Sequence, residues 1–329
     1  LIAPSGMPMR GAGLLCLLPM LLAPRQVPPD GELWITVLDI GQGSSILVET
    51  GDDRLLFDAG AASGPDKSAA SRHLLPYLRS RGIERIDTLV VSHLDVEHAG
   101  GAAAVMQGLQ PSRLLTAFDA GLLQAGAETL SGAGRLPCTT GQRFSLGDAT
   151  VEVLHPTAVA KSRTAARDNA GSCVLRIASP AGSVLLAGDL PATSEAAIIR
   201  AARAAGNGEG RGSDGSRGKP TGKDKEGASA LQADVLIVPQ QGSRQAAGAA
   251  LLAAVRPSFA VLQVGYRNRH SHPHPAVLER LLATGAVLLR TDHDGAVQIR
   301  LRAAGPAQVY RIRRDAPPYW RLDTAATGR

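Results

Sequence analysis

Between residues 92 and 101 the chain reads Ser-His-Leu-Asp-Val-Glu-His-Ala-Gly-Gly, which places two imidazoles, His93 and His98, and two carboxylates, Asp95 and Glu97, within six residues. Neutral imidazole and carboxylate oxygen are the ligand types of Zn²⁺ or Mn²⁺, and two such ions side by side can activate a water and stabilise an in-line displacement at phosphorus. His93, Asp95, Glu97 and His98 are therefore candidate metal ligands, and Asp95 and Glu97 are also candidate catalytic groups. A solvated charge cluster would not ordinarily follow an apolar, β-branched run such as Thr88-Leu-Val-Val91 and precede a double glycine.

Other positions share the pattern of a polar residue closing an apolar run. Asp189 ends Val184-Leu-Leu-Ala-Gly188, where a carboxylate can reach loops gathered at one edge of the sheets; as a helix cap it would be less suited than Thr193 or Ser194. Asp58 ends Leu55-Leu-Phe57 and is expected to orient ligands from behind rather than bind metal. His155, before Pro156, could add a ligand, although a lone His in that setting is more often structural. Residues 267 to 274, Arg-Asn-Arg-His-Ser-His-Pro-His, could bind metal, but Arg267, Arg269 and His272 fit phosphate contacts at least as well. No phosphate-binding G-x-x-x-x-G-K-[ST] loop, dinucleotide glycine fingerprint or G-x-S-x-G elbow occurs, which argues against an NTPase, a dinucleotide enzyme and a serine hydrolase.

The elements that must carry these residues alternate. Strands are expected at 33–39, 45–50, 54–58, 88–92, 151–154, 173–178, 183–187, 235–238, 259–264 and 287–290, and helices at 69–81, 192–204, 247–255 and 275–283. Two β-rich halves with flanking helices point to a layered α/β sandwich. With 329 residues and 44% hydrophobic content a sizeable core is available, built on Leu, Val, Ile and Ala because aromatics are only 3%. The net charge of +6 allows contact with polyanions but fits a plain basic surface equally well. Cys138 and Cys173 could pair, or could be two unrelated buried thiols. Residues 11–23 are apolar and followed by a Pro-rich stretch, read as the end of a transmembrane helix and its tether over 1–31. Residues 206–230 hold hardly any apolar side chain and are expected to be a disordered insertion, and a basic tail is expected over 306–329.

Taken together, Leu38-Asp-Ile-Gly-Gln-Gly43, Leu55-Leu-Phe-Asp-Ala-Gly60, Val90-Val-Ser-His-Leu-Asp-Val-Glu-His-Ala-Gly-Gly101, Asn169-Ala-Gly-Ser-Cys-Val-Leu175, Leu185-Leu-Ala-Gly-Asp189 and Gly265-Tyr-Arg-Asn-Arg-His-Ser-His-Pro-His-Pro275 closely resemble the C-terminal metallo-β-lactamase-like domain of ComEC proteins. These are inner-membrane channels for DNA uptake in natural transformation. The resemblance implies a four-layer αββα fold over 32–305, preceded by a transmembrane helix, with the domain facing the periplasm. It also implies a metal-dependent nuclease degrading the strand that is not imported, with single- or double-stranded DNA, the membrane-embedded channel portion, and the DNA receptor and uptake machinery as partners. The matching ligand positions are His93, Asp95, His98 and Asp189, holding one or two Zn²⁺ or Mn²⁺ ions, with Asn169 and Ser172 supporting them. A periplasmic position favours a Cys138–Cys173 disulfide. Two departures stand out: the family's H-x-D-x-D-H carries Glu97 in place of its second Asp, and its P-H-H-G-S is here Pro239-Gln240-Gln241-Gly242-Ser243. A Gln carbonyl is a weaker zinc ligand than imidazole, so Gln240 and Gln241 are departed ligand positions, and a non-catalytic channel module is the competing expectation.

Overall fold

Period-two alternation divides each strand between two cores. A computed structural model describes residues 26–64, 67–123, 134–208 and 230–316. The first sheet begins with β1 (Leu33–Val37), β2 (Ile46–Thr50), β3 (Asp53–Phe57), β4 (Thr88–Val91), β5 (Arg113–Thr116) and β6 (Gly134–Pro137). The second holds β7 (Arg143–Leu146), β8 (Ala149–His155), β9 (Val174–Ser179), β10 (Gly182–Leu186), β11 (Val235–Ile237), β12 (Phe259–Leu262) and β13 (Val287–Arg290). The chain then returns to the first sheet with β14 (Val297–Leu301) and β15 (Gln308–Arg311). The strand orders are β15-β14-β1-β2-β3-β4-β5-β6 and β13-β12-β11-β10-β9-β8-β7. In each sheet an antiparallel meander gives way to parallel pairs, at β3–β4 and at β10–β11.

Ile35, Val48, Phe57 and Val90 of the first sheet meet Val151, Leu175, Val184 and Ile237 of the second in a shared inner core. The opposite faces are covered by helices. Leu74, Leu75 and Leu78 of the helical stretch Ala70–Ser80 and Val105, Met106 and Leu109 of helix Ala102–Leu109 pack on Leu47, Leu56 and Leu89. Ile198, Ile199, Leu251, Leu252, Val277 and Leu281, from helices Ala192–Gly208, Ala249–Val255 and Pro275–Leu282, pack on Leu185 and Leu236. The layers therefore run helix, sheet, sheet, helix, and strands covered on both faces read as nearly continuous apolar runs.

Three differences from the sequence reading have physical causes. Folded structure continues past 305, because Gln308–Arg311 adds to the sheet edge beside β14, with Val309 packed against the inner core under an otherwise polar composition. The short strands β5, β6 and β7 escape a pattern search, β6 being an exposed edge. Helix Ala192–Gly208 runs past the expected end at 204. The apolar run 11–23, nearly all of the insertion at 206–230 and the tail from 317 lie outside the described residues. Among the described residues no helix is long and apolar enough to cross a membrane. Cys138 and Cys173 form a disulfide joining the end of β6 to the start of β9, both sulfurs being fully buried.

A buried amide ties the two sheets together next to their functional edge. Gln263, following β12, accepts from the Ser45 N–H (3.1 Å) and donates Nε2 to the Leu38 (2.8 Å) and Ser45 (3.0 Å) carbonyls at the β1–β2 connection. Truncating it would strand buried backbone polar groups, each costing about 1–3 kcal/mol. Gln263→Leu is accordingly expected to lower unfolding stability by about 2–4 kcal/mol, read from urea denaturation midpoints; a loss below about 0.5 kcal/mol, the range of an ordinary surface change, would remove this tie from the account.

Candidate metal centre

The carboxyl ends of β3, β4 and β10 converge on one edge, where the loops after them deliver Asp58, the 92–98 segment and Asp189. Asp58 sits in the left-handed region at φ 61°, fully buried, and accepts three hydrogen bonds: from Ser92 N–H (2.8 Å), Ser92 Oγ (3.0 Å) and His98 Nδ1 (2.7 Å). Because Ser92 spends its hydroxyl proton on Asp58, its oxygen is left to accept from His93 Nδ1 (3.0 Å). Both imidazoles are thereby held as Nδ1–H donors with Nε2 directed inward.

His93 Nε2 and His98 Nε2 are buried and lack a hydrogen-bond partner, an arrangement that costs free energy unless something else occupies the space between them. The missing partner is supplied in outline by Asp189, whose Oδ1 lies 3.3 Å from His98 Nε2 without hydrogen-bond alignment. One ligand atom each from His93, His98 and Asp189 lies within 4.8 Å of the others. Two inward imidazole nitrogens and one carboxylate, backed by hydrogen-bonded supports, fit a divalent ion.

The other candidates are placed elsewhere. Asp95 caps the short helix Val96–Ala99, accepting from Val96 N–H at 2.8 Å, and is outside the ligand trio. Glu97, one methylene longer than Asp, accepts from Gln241 Nε2 (2.9 Å) and Gln42 Nε2 (3.4 Å), while Gln42 Nε2 also donates to Gln241 Oε1. Gln241 thus meets Glu97 as an amide, and Gln240 accepts from Ser243 Oγ at 2.6 Å. His155 donates Nδ1–H to the Ser172 carbonyl (2.9 Å) and lies outside the trio, a structural role. Ser172 Oγ is 3.5 Å from His93 Nδ1, and Asn169 contributes its carbonyl to Ser172 N–H (3.0 Å). Arg267 lies over the Tyr266 ring, Arg269 is 3.7 Å from Glu97 Oε1, and His272 is close enough to Asp189 to feel its charge. Sequence reasoning passed over Gln42 and the double duty of Ser92. A Gly-Gln-Gly turn signals only a bend, yet Gly43, at φ 123°, has space for no Cβ, which would lie 2.4 Å from the Glu97 carbonyl.

The trio is electrostatically uneven. Burial, then the neighbouring His98 charge, push His93 down to about 4, so it is neutral at pH 7. Burial alone would lower His98 as well, but Asp189 and Asp58 on either side outweigh it and hold the imidazolium well above its ordinary value. Burial acts to raise Asp189, yet His98 and then His93 keep it below the usual carboxylate range. In the ion-free chain the His98 contribution to stability is complete below the unfolded value of about 6.5 and is lost as pH rises through the higher folded value. An ion must displace that proton, so affinity should increase with pH up to the folded His98 value, with close to one proton released per Zn²⁺ at pH 7. Calorimetry in two buffers of different protonation enthalpy measures this, and a release near zero would show that His98 is already neutral.

Residues 38–124 match the Metallo-beta-lactamase superfamily. The chain is 32% identical over 305 residues to competence protein ComA of Neisseria gonorrhoeae, covering 93% of this chain and 38% of ComA. It is 28% identical over 318 residues to ComE operon protein 3 of Bacillus subtilis, covering 91% of this chain and 36% of that protein. The chain therefore spans little more than a third of the length of these relatives. Among solved structures, the metallo-beta-lactamase fold protein YhfI from Bacillus subtilis aligns with a TM-score of 0.45 at 16% identity, over 78% of this chain and 95% of that one. The chain thus carries a metallo-β-lactamase superfamily domain and, over nearly its whole length, is similar to competence proteins of the ComEC family.

Proposed function

We propose that this chain is the periplasm-facing domain of a ComEC-like DNA-uptake channel in a bacterial inner membrane, and that it hydrolyses phosphodiesters of the strand that is not imported. The observation that carries the hydrolytic reading is the convergence of His93 Nε2, His98 Nε2 and the Asp189 carboxylate, two buried imidazole nitrogens without an aligned hydrogen bond beside one acid, 3.3 Å from His98 Nε2. An ion bound there supplies Lewis-acid polarisation of a phosphoryl oxygen and activation of water. The chain's own residues do the rest. Asp58, Ser92 and Ser172 fix the imidazoles, Asp189 retains 14% side-chain exposure, and Arg267 and Arg269 stand on the 265–274 loop to meet phosphate oxygens. The DNA partner is supported by the likeness to competence proteins, and the oxidising compartment by the Cys138–Cys173 disulfide.

The geometry favours one ion, Zn²⁺ or Mn²⁺, rather than two, because Glu97 is engaged by Gln241 and Gln42 and Asp95 by a helix end. That same Glu97–Gln241 bond favours a second reading, a channel module that retains the fold and basic loop without catalysis. Metal analysis together with cleavage of end-labelled single-stranded DNA, with His93→Ala as control, separates the two. The hydrolase reading expects about one ion per chain and Mn²⁺- or Zn²⁺-dependent cleavage that falls at least about 100-fold in the variant. A bound ion with no cleavage selects the channel module; less than one ion and no cleavage ends the hydrolase reading. Gln241→His is expected to raise the ion count above one, and an unchanged count would show that Glu97, not Gln241, closes the second position.

A further inference from the structure

The 265–274 loop carries a feature that neither metal binding nor phosphate contact uses. Tyr266 is 66% exposed, the most exposed large apolar side chain among the described residues, in a chain whose aromatic content is only 3%. Its loop is not a loose excursion. Asn268 ties it across, donating Nδ2 to the carbonyls of Gly265 (3.1 Å) and His272 (2.6 Å) and accepting from His272 N–H (2.9 Å). At its base Gly265 lies so close to the Gly41–Gln42 backbone that a Cβ would fall 2.9 Å from the Gly41 carbonyl carbon, which seats the loop against the turn that contacts Glu97. Its far end reaches the same place, with Arg269 and His270 each 3.7 Å from Glu97 Oε1. The Arg267 guanidinium lies 5.2 Å from the Tyr266 ring centre, covering one π-face. From Gly265 to Leu278 there is no carboxylate, whereas two Arg and three His are present.

An exposed ring on a pinned loop, backed by one guanidinium and next to another, has the parts of a base-stacking platform. The uncovered face can take an unpaired nucleobase while Arg267 and Arg269 take the flanking phosphates. A duplex offers no free base face, so the platform discriminates by strandedness and not by sequence. We propose that Tyr266 is a specificity-determining residue that stacks an unpaired base of single-stranded nucleic acid beside the metal centre. The proposal rests on the DNA reading above but not on catalysis, since stacking requires no bond to break.

The test uses the 329-residue chain and three fluorescent probes of equal length: a single-stranded oligodeoxynucleotide, its duplex, and a strand of abasic sites that keeps the phosphates. Tyr266→Ala should weaken single-strand binding about tenfold, as expected for loss of one stacked base, and leave the duplex and the abasic strand within about twofold. Tyr266→Phe should bind as the parent does. Three results overturn the proposal: single-strand affinity unchanged in Tyr266→Ala, an equal loss on the abasic strand, which would mean that the ring only holds Arg267 in place, or a parent chain that binds none of the probes. The hydrolase reading fails separately. Tyr266-dependent binding with no cleavage by the parent removes catalysis and leaves the platform standing, while cleavage with Tyr266-independent binding does the reverse.

Discussion

Asp58 is fully buried, stands in a left-handed conformation at φ 61° and accepts hydrogen bonds from Ser92 twice and from His98 once. A non-glycine residue at positive φ is costly, and Asp is among the few side chains that tolerate it. The return on that strain is organisational. By taking the Ser92 hydroxyl proton, Asp58 turns Ser92 into an acceptor for His93; by taking the Nδ1–H of His98 it directs Nε2 toward Asp189. One buried anion therefore sets the orientation and tautomer of two imidazoles, and its charge joins that of Asp189 in holding a positive charge on His98. In the ion-free chain a proton serves as that charge. An ion takes over the role when it binds.

The contrast lies on the other side of the same loop. Glu97 follows the metal-loop pattern but is one methylene longer than the usual Asp, and the side chain meets Gln241 and Gln42 in a closed set of amide–carboxylate hydrogen bonds. The Glu97 carboxylate thus takes its bonds from two neutral amide donors. Arg269 adds positive charge at the outer edge of Glu97, 3.7 Å from its Oε1, and His270 Nε2 lies at the same distance.

Much of the layered fold was legible because the inner strands are apolar on both faces, and Val90, Phe57, Val184 and Leu185 announce themselves by composition alone. The last strand was not, since Gln308–Arg311 lies at an edge with a single inward apolar side chain, Val309, and reads as a basic tail. At the site, His93 and Asp189 stand just past the ends of buried strands, a local signal, whereas His98 lies on the short helix Val96–Ala99. Asp95 and His155 could not be sorted by type, since a carboxylate may cap a helix and an imidazole may donate to a carbonyl with the same residue name. Gln263 and Gln42, which tie distant segments across separations of 218 and 199 residues, leave no local signal at all.

Asp58 organises the two imidazoles of the ion site through hydrogen bonds from behind them. Zn²⁺ affinity of Asp58→Asn, measured by competition with a chromophoric chelator alongside its thermal unfolding, tests it most directly. Asn keeps the size and one acceptor oxygen but cannot accept all three bonds, because with that oxygen facing Ser92 Oγ and His98 its NH₂ opposes the Ser92 N–H. A folded variant whose affinity is about 10–100-fold weaker is expected, the usual effect of removing an outer support of a metal ligand. A folded variant with parental affinity would contradict it.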